Sequence, residues 1–280
     1  MAAGLRPRGG AVAVIAVYNQ KGGVGKTTTA LNLLGALARL GQRPIGIDLD
    51  PQAHLSSILG GAPQRPEDSV YEFFVKGKPL AMLQRPTRSA TEMLGAHIEL
   101  SRLDSMLGKS LNAITRLALA LQRRAEPERH VIIDCPPQLG VLSLNAMFAC
   151  DLLIVPVSAD FLAMQGARSI DHALNALEPV LKKRLPRRYL LTRFDTRRRM
   201  CATIAEQLAS EFGADEVFET RIAENVSLAE SPWLKMDVFE HAPLSSGAKN
   251  YESLLVELMG SGFMSGGVAG DHGDQAVDVE

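Results

Sequence analysis

Short apolar runs alternate along the chain with longer segments in which apolar residues recur every three to four positions. A run that is apolar on both parities, such as residues 11–17, is typical of a central parallel strand covered on both faces. The segment that follows it at residues 28–40 has the period of a helix. This alternation predicts an α/β fold, a doubly wound and mostly parallel sheet flanked by helices.

The pattern predicts a single domain over residues 11–259, with a flexible N-terminal segment, residues 1–10, and a disordered glycine-rich, acidic tail, residues 260–280. Strands are predicted at residues 11–17, 44–52, 130–134, 151–156 and 188–192, with a weaker candidate at 89–97. Helices are predicted at residues 28–40, 70–75, 111–125, 142–149, 163–177, 196–212 and 247–259.

The composition narrows the class of protein without naming a partner. A chain of 280 residues with 46% hydrophobic and 22% charged residues can bury a large core. Its formal net charge of −1 means that any attraction to nucleic acid must come from local patches. The cysteines Cys135, Cys150 and Cys201 form no CxxC pair, which argues against a disulfide framework and favours a reducing cytoplasm. The only tryptophan, Trp233, is expected to pack within the fold.

A glycine-rich segment between the first strand and the first helix has the chemistry of a phosphate-binding loop. Backbone N–H groups in such a loop and the dipole of the following helix converge on an anion. Lys26 can reach terminal phosphates, and the Thr27 hydroxyl can ligate Mg²⁺. The usual pattern requires a glycine where this chain has Gln20, and Lys21 is an additional lysine. The candidate nucleotide-binding residues are Lys21, Gly22, Gly23, Val24, Gly25, Lys26, Thr27 and Thr28.

Three acidic residues end predicted strands, at the sheet edge where open α/β sheets bind their ligands. Asp134 fits a second nucleotide motif whose carboxylate holds Mg²⁺, usually through a water. Asp48 and Asp50 end the second strand, and one of them could orient the water that attacks the γ-phosphate. Any one of them alone could equally be a capping aspartate. In combination with the phosphate loop, they indicate phosphoryl transfer.

Several motifs together resemble the ParA/MinD superfamily of dimeric P-loop ATPases, whose phosphate loop is of the deviant Walker A type. The resemblance extends over residues 11–259. It rests on the loop at residues 21–28, a first switch at 48–52, a second motif and switch at 134–137, and C-terminal signatures of the ParA branch at 225–232 and 243–251.

The resemblance implies that the cofactors are ATP and Mg²⁺ and that ATP-bound subunits pair face to face as a homodimer. Lys21 would reach across to the partner's nucleotide, and Lys26 would hold the β- and γ-phosphates of its own. Asp50 matches the residue that positions the attacking water, so Asp50, Lys21 and Lys26 are the predicted catalytic residues. Thr27, Asp134 and Asp48 are the predicted metal-site residues, with Asp48 supporting the metal shell.

ParA proteins bind double-stranded DNA without sequence preference, which requires cations that follow the phosphates. The alternative is that the clustered lysines and arginines in the second half of this chain simply solvate helix ends. The chain departs from the ParA signature at Glu224 and Ser227, where arginines are usual. The DNA-binding prediction therefore rests on Arg193, Arg197, Arg198 and Arg199, and further candidates are Lys182, Lys183, Arg184, Arg187 and Arg188.

The resulting expectation is a slow ATPase of the cytoplasm and nucleoid that positions a cargo and is stimulated by a ParB-like or cargo-adaptor protein. The cargo could be a plasmid, a chromosome region or a protein assembly such as a carboxysome or chemoreceptor cluster. A MinD-like membrane ATPase is the main alternative, but residues 260–280 lack the basic amphipathic chemistry that it needs. An electron-transfer ATPase with a shared iron–sulfur cluster and a small-molecule kinase or ligase fit the motifs less well.

Overall fold

The computed structural model describes residues 12–108, 110–160, 162–181 and 184–264. Its centre is a seven-stranded sheet in the order β3-β4-β2-β5-β1-β6-β7. Only the β3–β4 pairing is antiparallel, so the prediction of a doubly wound, mostly parallel sheet is confirmed. The strands are β1 (Val14–Val17), β2 (Ile45–Asp48), β3 (Arg85–Pro86), β4 (Glu92–Leu94), β5 (Val131–Asp134), β6 (Leu152–Ser158) and β7 (Arg187–Thr192).

Helices cover both faces of this sheet. They are α1 (Lys26–Arg39), α2 (His54–Ile58), α3 (Val70–Lys76), α4 (Leu80–Leu83), α5 (Leu103–Leu107), α6 (Leu111–Ile114), α7 (Arg116–Gln122), α8 (Val141–Ala149), α9 (Ala163–Leu181), α10 (Arg199–Phe212), α11 (Val226–Trp233), α12 (Val238–His241) and α13 (Ser246–Gly260). Short 3₁₀ turns lie at Pro66–Asp68, Ile98–Arg102 and Ala214–Glu216.

The two faces of the sheet have separate cores, and β1 contributes to both. Val14 and Ala16 pack in one cluster with side chains from α3, α8, α9 and α10. Ile15 and Val17 pack in the other with side chains from α1 and α13. Successive side chains of a strand point to opposite faces, so a strand buried on both faces must be apolar at every position.

Pro156 lies inside the central strand β6, where a proline normally removes a hydrogen bond of the ladder. Its neighbour β1 ends at Val17, which pairs with Ile154. Pro156 lies beyond that point, so the missing N–H faces no strand. The Pro156 carbonyl is used instead, because it accepts a hydrogen bond of 2.6 Å from Asn19 Nδ2. This bond ties the start of the phosphate loop to the sheet.

The helix predicted at residues 111–125 is wrong as a single element, since it is divided into α6 and α7. The buried side chain of Asn145 on α8 lies at the break. Its Nδ2 donates to the Ala113 carbonyl at 2.9 Å, and its Oδ1 accepts from the Leu117 N–H at 3.0 Å. A side chain inserted into the hydrogen-bond ladder of a helix is a known cause of such breaks.

The C-terminal part of the chain departs from the prediction in three ways. Helices α11 and α12 were not predicted, and the side chain of Trp233 is 84% exposed rather than packed. The packed chain also continues past residue 259, because α13 includes Gly260 and Met264 is buried. Residues 1–11 and 265–280, to which the flexible terminus and most of the disordered tail were assigned, lie outside the described residues. In the described part of the chain, no helix has the length and apolar character to cross a membrane.

Candidate nucleotide-binding site

A cavity of about 540 Å³ opens at the carboxyl edge of the sheet, a size suited to a nucleotide. Apolar side chains of the lining include Ile222 and Leu228. The lining also includes all the predicted loop residues from Gly22 to Thr28 and the predicted catalytic residue Asp50: Gly22, Gly23, Val24, Gly25, Lys26, Thr27, Thr28 and Asp50.

The shape of the loop depends on glycine at two positions. Gly23 has φ +74° and Gly25 has φ +91°, in the left-handed region that residues with a Cβ rarely adopt. Gly25 is the N-cap of α1, so the first turn of the helix opens directly into the cavity and presents unpaired N–H groups. An anion at this position would be held by backbone donors and the helix dipole.

Lys26 is the charged side chain at the base of the loop. Its Nζ donates a hydrogen bond of 3.0 Å to the Lys21 carbonyl, and the residue is 8% exposed. Burial lowers the pKa of Lys26, although the nearby carboxylates of Asp134 and Asp50 oppose this. A partly desolvated ammonium group that lacks a direct carboxylate partner is well suited to bind a phosphate.

Asp134 and Thr27 form a pair below the loop. Thr27 Oγ1 donates a hydrogen bond of 2.7 Å to Asp134 Oδ2. Asp134 Oδ1 is buried and has no hydrogen-bond partner among the described residues, which is unusual for a carboxylate oxygen inside a protein. Oxygen ligands of this kind suit Mg²⁺, which is commonly held by one or two carboxylates, hydroxyls and waters beside a phosphate. The residues present therefore fit a magnesium ion at this position.

Asp48 and Asp50 have different positions. Asp48 is fully buried, and its oxygens accept hydrogen bonds from the Asp50 N–H and from the N–H and hydroxyl of Ser56. These contacts hold the loop that carries Asp50, whereas a place for Asp48 in the metal shell stays a prediction. Asp50 Oδ1 accepts from the Gln52 N–H at 2.9 Å, and the residue lines the cavity.

The two buried acids are neighbours in the sheet, because Asp48 pairs with Asp134 in the β2–β5 register. Burial raises the pKa of Asp48 to about 6, against the lowering effect of the hydrogen bonds from Ser56. Burial also raises the pKa of Asp134 well above its usual range, and the charge of Asp48 raises it further. The site thus contains more negative charge than its own cations offset, and a bound divalent cation would relieve this repulsion.

Lys21 is the predicted catalytic residue that does not line the cavity. Its Nζ forms an ion pair with Asp160 Oδ2 at 2.7 Å, and both side chains are 41% exposed. Burial would raise the pKa of Asp160, but the hydrogen bond and the charge from Lys21 lower it. The ammonium group of Lys21 is therefore held at the surface by Asp160, outside the lining of the cavity.

The predicted DNA-binding arginines occupy different surroundings. Arg193 lines the nucleotide cavity. Arg197 and Arg198 border a separate surface depression, where both pair with Asp195, and Arg199 begins α10. The hydrogen bonds from Arg197 lower the pKa of Asp195 to about 2.

The other basic candidates that the structure describes differ in exposure. Arg187 is buried and paired with Asp171 and Glu178, and Arg188 is buried and paired with Glu257. Arg184 pairs with Glu216. Lys182 and Lys183 lie outside the described residues.

Sequence patterns did not single out several residues that shape the site. Thr192 ends β7 and donates from Oγ1 to the Val24 carbonyl at 2.9 Å, and its position at a strand end was the available signal. Tyr251 lies beneath the cavity with its hydroxyl 3.2 Å from Thr29 Oγ1. Arg221 packs over the Phe194 ring beside Arg197. Tyr251 lies within the signature at residues 243–251, but that signature did not indicate a place at the cavity. Arg221 carries no local signal, because long-range packing brings it to the site.

Comparison with known proteins identifies relatives of this chain. A family model described as an AAA domain matches residues 12–186. A chromosome-partitioning ATPase, Soj, of Thermus thermophilus is 38% identical over 88% of this chain and 94% of its own length. The chromosome partitioning protein ParA of Myxococcus xanthus is 33% identical over 88% of this chain and 87% of its own length.

A solved structure is similar across the same fold. Cobyrinic acid a,c-diamide synthase of Mycobacterium smegmatis, crystallised with an ATP analogue and magnesium, has a TM-score of 0.74 and 28% identity, covering 90% of this chain and 97% of the other. The two curated relatives each cover 88% of this chain, and the solved structure covers 90% of it. The chain therefore belongs to the ParA family, within the ParA/MinD superfamily of P-loop ATPases.

Proposed function

We propose that this protein is a partition-type ATPase that uses ATP and Mg²⁺, dimerises when ATP is bound, and associates with DNA of the nucleoid without sequence preference. The dimer positions or segregates a cargo, which is a plasmid, a chromosome region or a protein assembly. The dimer lets go of the DNA when a ParB-like or cargo-adaptor protein stimulates slow ATP hydrolysis. The single observation that carries the proposal is the position of Lys21.

Lys21 is the first residue of a loop whose other residues suffice to bind one nucleotide. The backbone donors, Lys26 and Thr27 all serve the cavity of their own subunit, while the Lys21 ammonium lies outside it, paired with Asp160 on the surface. An exposed ion pair of this kind contributes little stability, about 0–1 kcal/mol, so it can be exchanged for a stronger partner. The phosphates of a nucleotide in a facing subunit are such a partner.

The residues of the cavity have separate roles in hydrolysis. Lys26 and the loop N–H groups hold the β- and γ-phosphates, and Asp134 with Thr27 provides the oxygen ligands for the metal. Mg²⁺, when bound, neutralises charge on the phosphates. Asp50 orients the attacking water, and Asp48 keeps the Asp50 loop in place through the hydrogen bonds described above. Because a second subunit must complete the site, turnover of an isolated subunit is slow.

The cobyrinic acid a,c-diamide synthase structure points to a second candidate, an ATP-dependent ligase on the same fold. The ATP-bound dimer is favoured, because Soj is more similar in sequence at 38% identity and because Lys21 has no place in the nucleotide cavity of its own subunit. A ligase would hydrolyse ATP only with its acid substrate and would not respond to DNA.

The experiment compares Lys21→Ala with Lys26→Ala and the unchanged protein. Light scattering should show dimers of the unchanged protein in Mg²⁺–ATP and monomers in Mg²⁺–ADP. Lys21→Ala should bind ATP within a few-fold of the unchanged protein and stay monomeric. Lys26→Ala should lose ATP binding altogether, since its ammonium contacts the phosphates directly.

The controls separate the parts of the proposal. A monomeric unchanged protein in saturating ATP would overturn the nucleotide-gated dimer, and normal dimers of Lys21→Ala would remove Lys21 from it. Unchanged ATP affinity of Lys26→Ala would contradict the loop assignment itself. Asp160→Asn releases Lys21 without removing it and should still form the dimer.

A further inference from the structure

Arg193 lies apart from the other predicted DNA-binding arginines in the structure. In the sequence it lies only four residues before Arg197, and the sequence predicts a DNA contact for both. In the structure it follows Thr192, whose hydroxyl donates to the Val24 carbonyl at 2.9 Å. This bond attaches the end of β7 to the phosphate loop, and Arg193 consequently lines the nucleotide cavity.

The backbone holds Arg193 in an unusual conformation. Its φ is +50°, in the left-handed region that arginine rarely adopts. The next residue fixes this turn, because the Phe194 N–H donates to the Ile222 carbonyl and the Phe194 carbonyl accepts from the Glu224 N–H. Backbone strain that is maintained by surrounding contacts is concentrated at functional sites. The strained turn therefore points to a role for the Arg193 side chain.

The Arg193 guanidinium also differs from its neighbours in having no partner. Arg197 and Arg198 pair with Asp195, and Arg221 packs over the Phe194 ring. Among the contacts of the described residues, Arg193 has no ion pair and no side-chain hydrogen bond. A cation at the wall of a cavity without a protein partner is available to a ligand.

The neighbours of Arg193 indicate which half of a nucleotide it meets. The residue before it, Thr192, contacts the phosphate loop, and the residue after it, Phe194, is hydrogen-bonded to Ile222, an apolar residue of the lining. Arg193 thus lies between the phosphate loop and an apolar part of the lining, against which the nucleoside of a bound nucleotide would pack. A planar guanidinium stacks on aromatic faces, and the face of a purine is such a surface.

We propose that Arg193 binds the nucleoside half of ATP by stacking on its base, and that it does not contact DNA. This inference rests on the proposed occupation of the cavity by ATP. Stacking does not depend on the hydrogen-bonding edge of the base, so Arg193 raises the affinity for nucleotides in general rather than selecting adenine. It leaves Lys26 and the loop N–H groups to bind the phosphates.

Isothermal titration calorimetry of the full chain with Mg²⁺ tests this. The variants are Arg193→Met, which keeps the length of the side chain and removes its charge and planarity, and Arg197→Met as the matched control. The ligands are ATP, ADP, GTP and inorganic tripolyphosphate. Arg193→Met should weaken the three nucleotides by a similar factor, roughly threefold to thirtyfold, and leave tripolyphosphate unchanged. Arg197→Met should bind all four ligands like the unchanged protein.

Other results would overturn the proposal in distinct ways. Weaker binding of tripolyphosphate, or a greater loss for ATP than for ADP, would place Arg193 on the phosphates. Unchanged nucleotide binding with weaker binding to a random-sequence duplex would return Arg193 to a DNA surface. If the unchanged protein bound no nucleotide, the proposed function itself would fail. Arg193→Gly, which relieves the strained φ, should show the same loss of nucleotide affinity if the side chain rather than the turn is responsible.

Discussion

Asp48, Asp50 and Asp134 show how three identical side chains differ in role according to their surroundings. Asp48 is enclosed, and Ser56 and the Asp50 N–H donate to its oxygens. Asp134 is equally buried, but in the described part of the chain one of its oxygens has no hydrogen-bond partner. Asp50 is partly exposed at the cavity wall. The first is suited to support a loop, the second to hold a metal, and the third to act on a ligand.

Asp50→Ala should retain nucleotide binding and ATP-dependent dimers but lose turnover, by about 10²-fold or more, because the attacking water loses its orienting group. Steady-state phosphate release and light scattering measure the two properties separately. Asp50→Asn keeps an acceptor for the Gln52 N–H, so it tests whether the loss arises from the charge or from a disturbed loop. A normal rate in Asp50→Ala would refute the role of Asp50.

The raised pKa values of Asp48 and Asp134 predict a pH dependence of stability. A carboxyl group whose pKa is higher in the folded state binds its proton more tightly there. Its stabilising effect is complete below about pH 4 and is lost as the pH rises through the folded pKa. For Asp48, with a pKa of about 6, the loss amounts to about 3 kcal/mol. Without metal and nucleotide, this part of the protein's stability should therefore fall between about pH 4 and pH 7.

Asp134→Asn tests this pH dependence, because it removes one of the two buried charges and the repulsion on the other. Thermal unfolding without nucleotide and with a chelator, between pH 5 and pH 8, should show a smaller decrease in Tm for the variant. Asp160→Asn is the control, since the pKa of the exposed Asp160 is lowered rather than raised. Parallel pH profiles of Tm for Asp134→Asn and the unchanged protein would contradict the raised pKa values of Asp48 and Asp134.

Among the elements, α8 follows residues 134–137 and packs against the helix pair α6 and α7 on one face of the sheet. Asn145 on α8 donates to carbonyls of Ala113 and Val141 and accepts from the Leu117 N–H, so one side chain satisfies backbone groups of three helices. These bonds replace those that α6 and α7 lose where they separate. The break is therefore a joint held by α8, and it depends on that single amide.

Asn145→Ala should destabilise the fold by about 2–4 kcal/mol, because it leaves the Ala113 carbonyl and the Leu117 N–H buried without partners. Asn112→Ala, at an exposed position of α6, should change the free energy of unfolding by less than about 0.5 kcal/mol. Chemical denaturation measures both variants. Equal stabilities of the two would show that the joint relies on other contacts.

On the scale of the whole molecule, the basic residues at the two ends of β7 differ in exposure. Arg187 and Arg188 are buried and pair with the partly buried acids Asp171 and Glu257. Arg197, Arg198 and Arg199 are exposed beyond its carboxyl end, on the same edge of the sheet as the nucleotide cavity. A DNA surface there lies close to the nucleotide, even though the net charge of the chain is only −1.

Reversal of the charges at Arg197, Arg198 and Arg199 to glutamate should weaken binding to random duplex in Mg²⁺–ATP. The slope of log K against log salt should decrease by about 0.9 for each lost phosphate contact. Arg88→Glu with Arg123→Glu, two exposed arginines elsewhere, is the control and should leave this slope unchanged. Unaltered DNA affinity of the triple variant would refute the surface.

Local sequence was enough to place the glycine-rich loop before α1 and the acids at the strand ends, because glycine conformation, helix capping and strand burial depend on near neighbours. The alternating pattern was also enough to predict the parallel sheet. Contacts between distant segments decided the rest. They separated Arg193 from Arg197, directed Lys21 to Asp160, buried Arg187 and Arg188, and inserted Asn145 between α6 and α7. Local sequence patterns do not predict these contacts, since each contact depends on which strand ends and helices the completed sheet brings side by side.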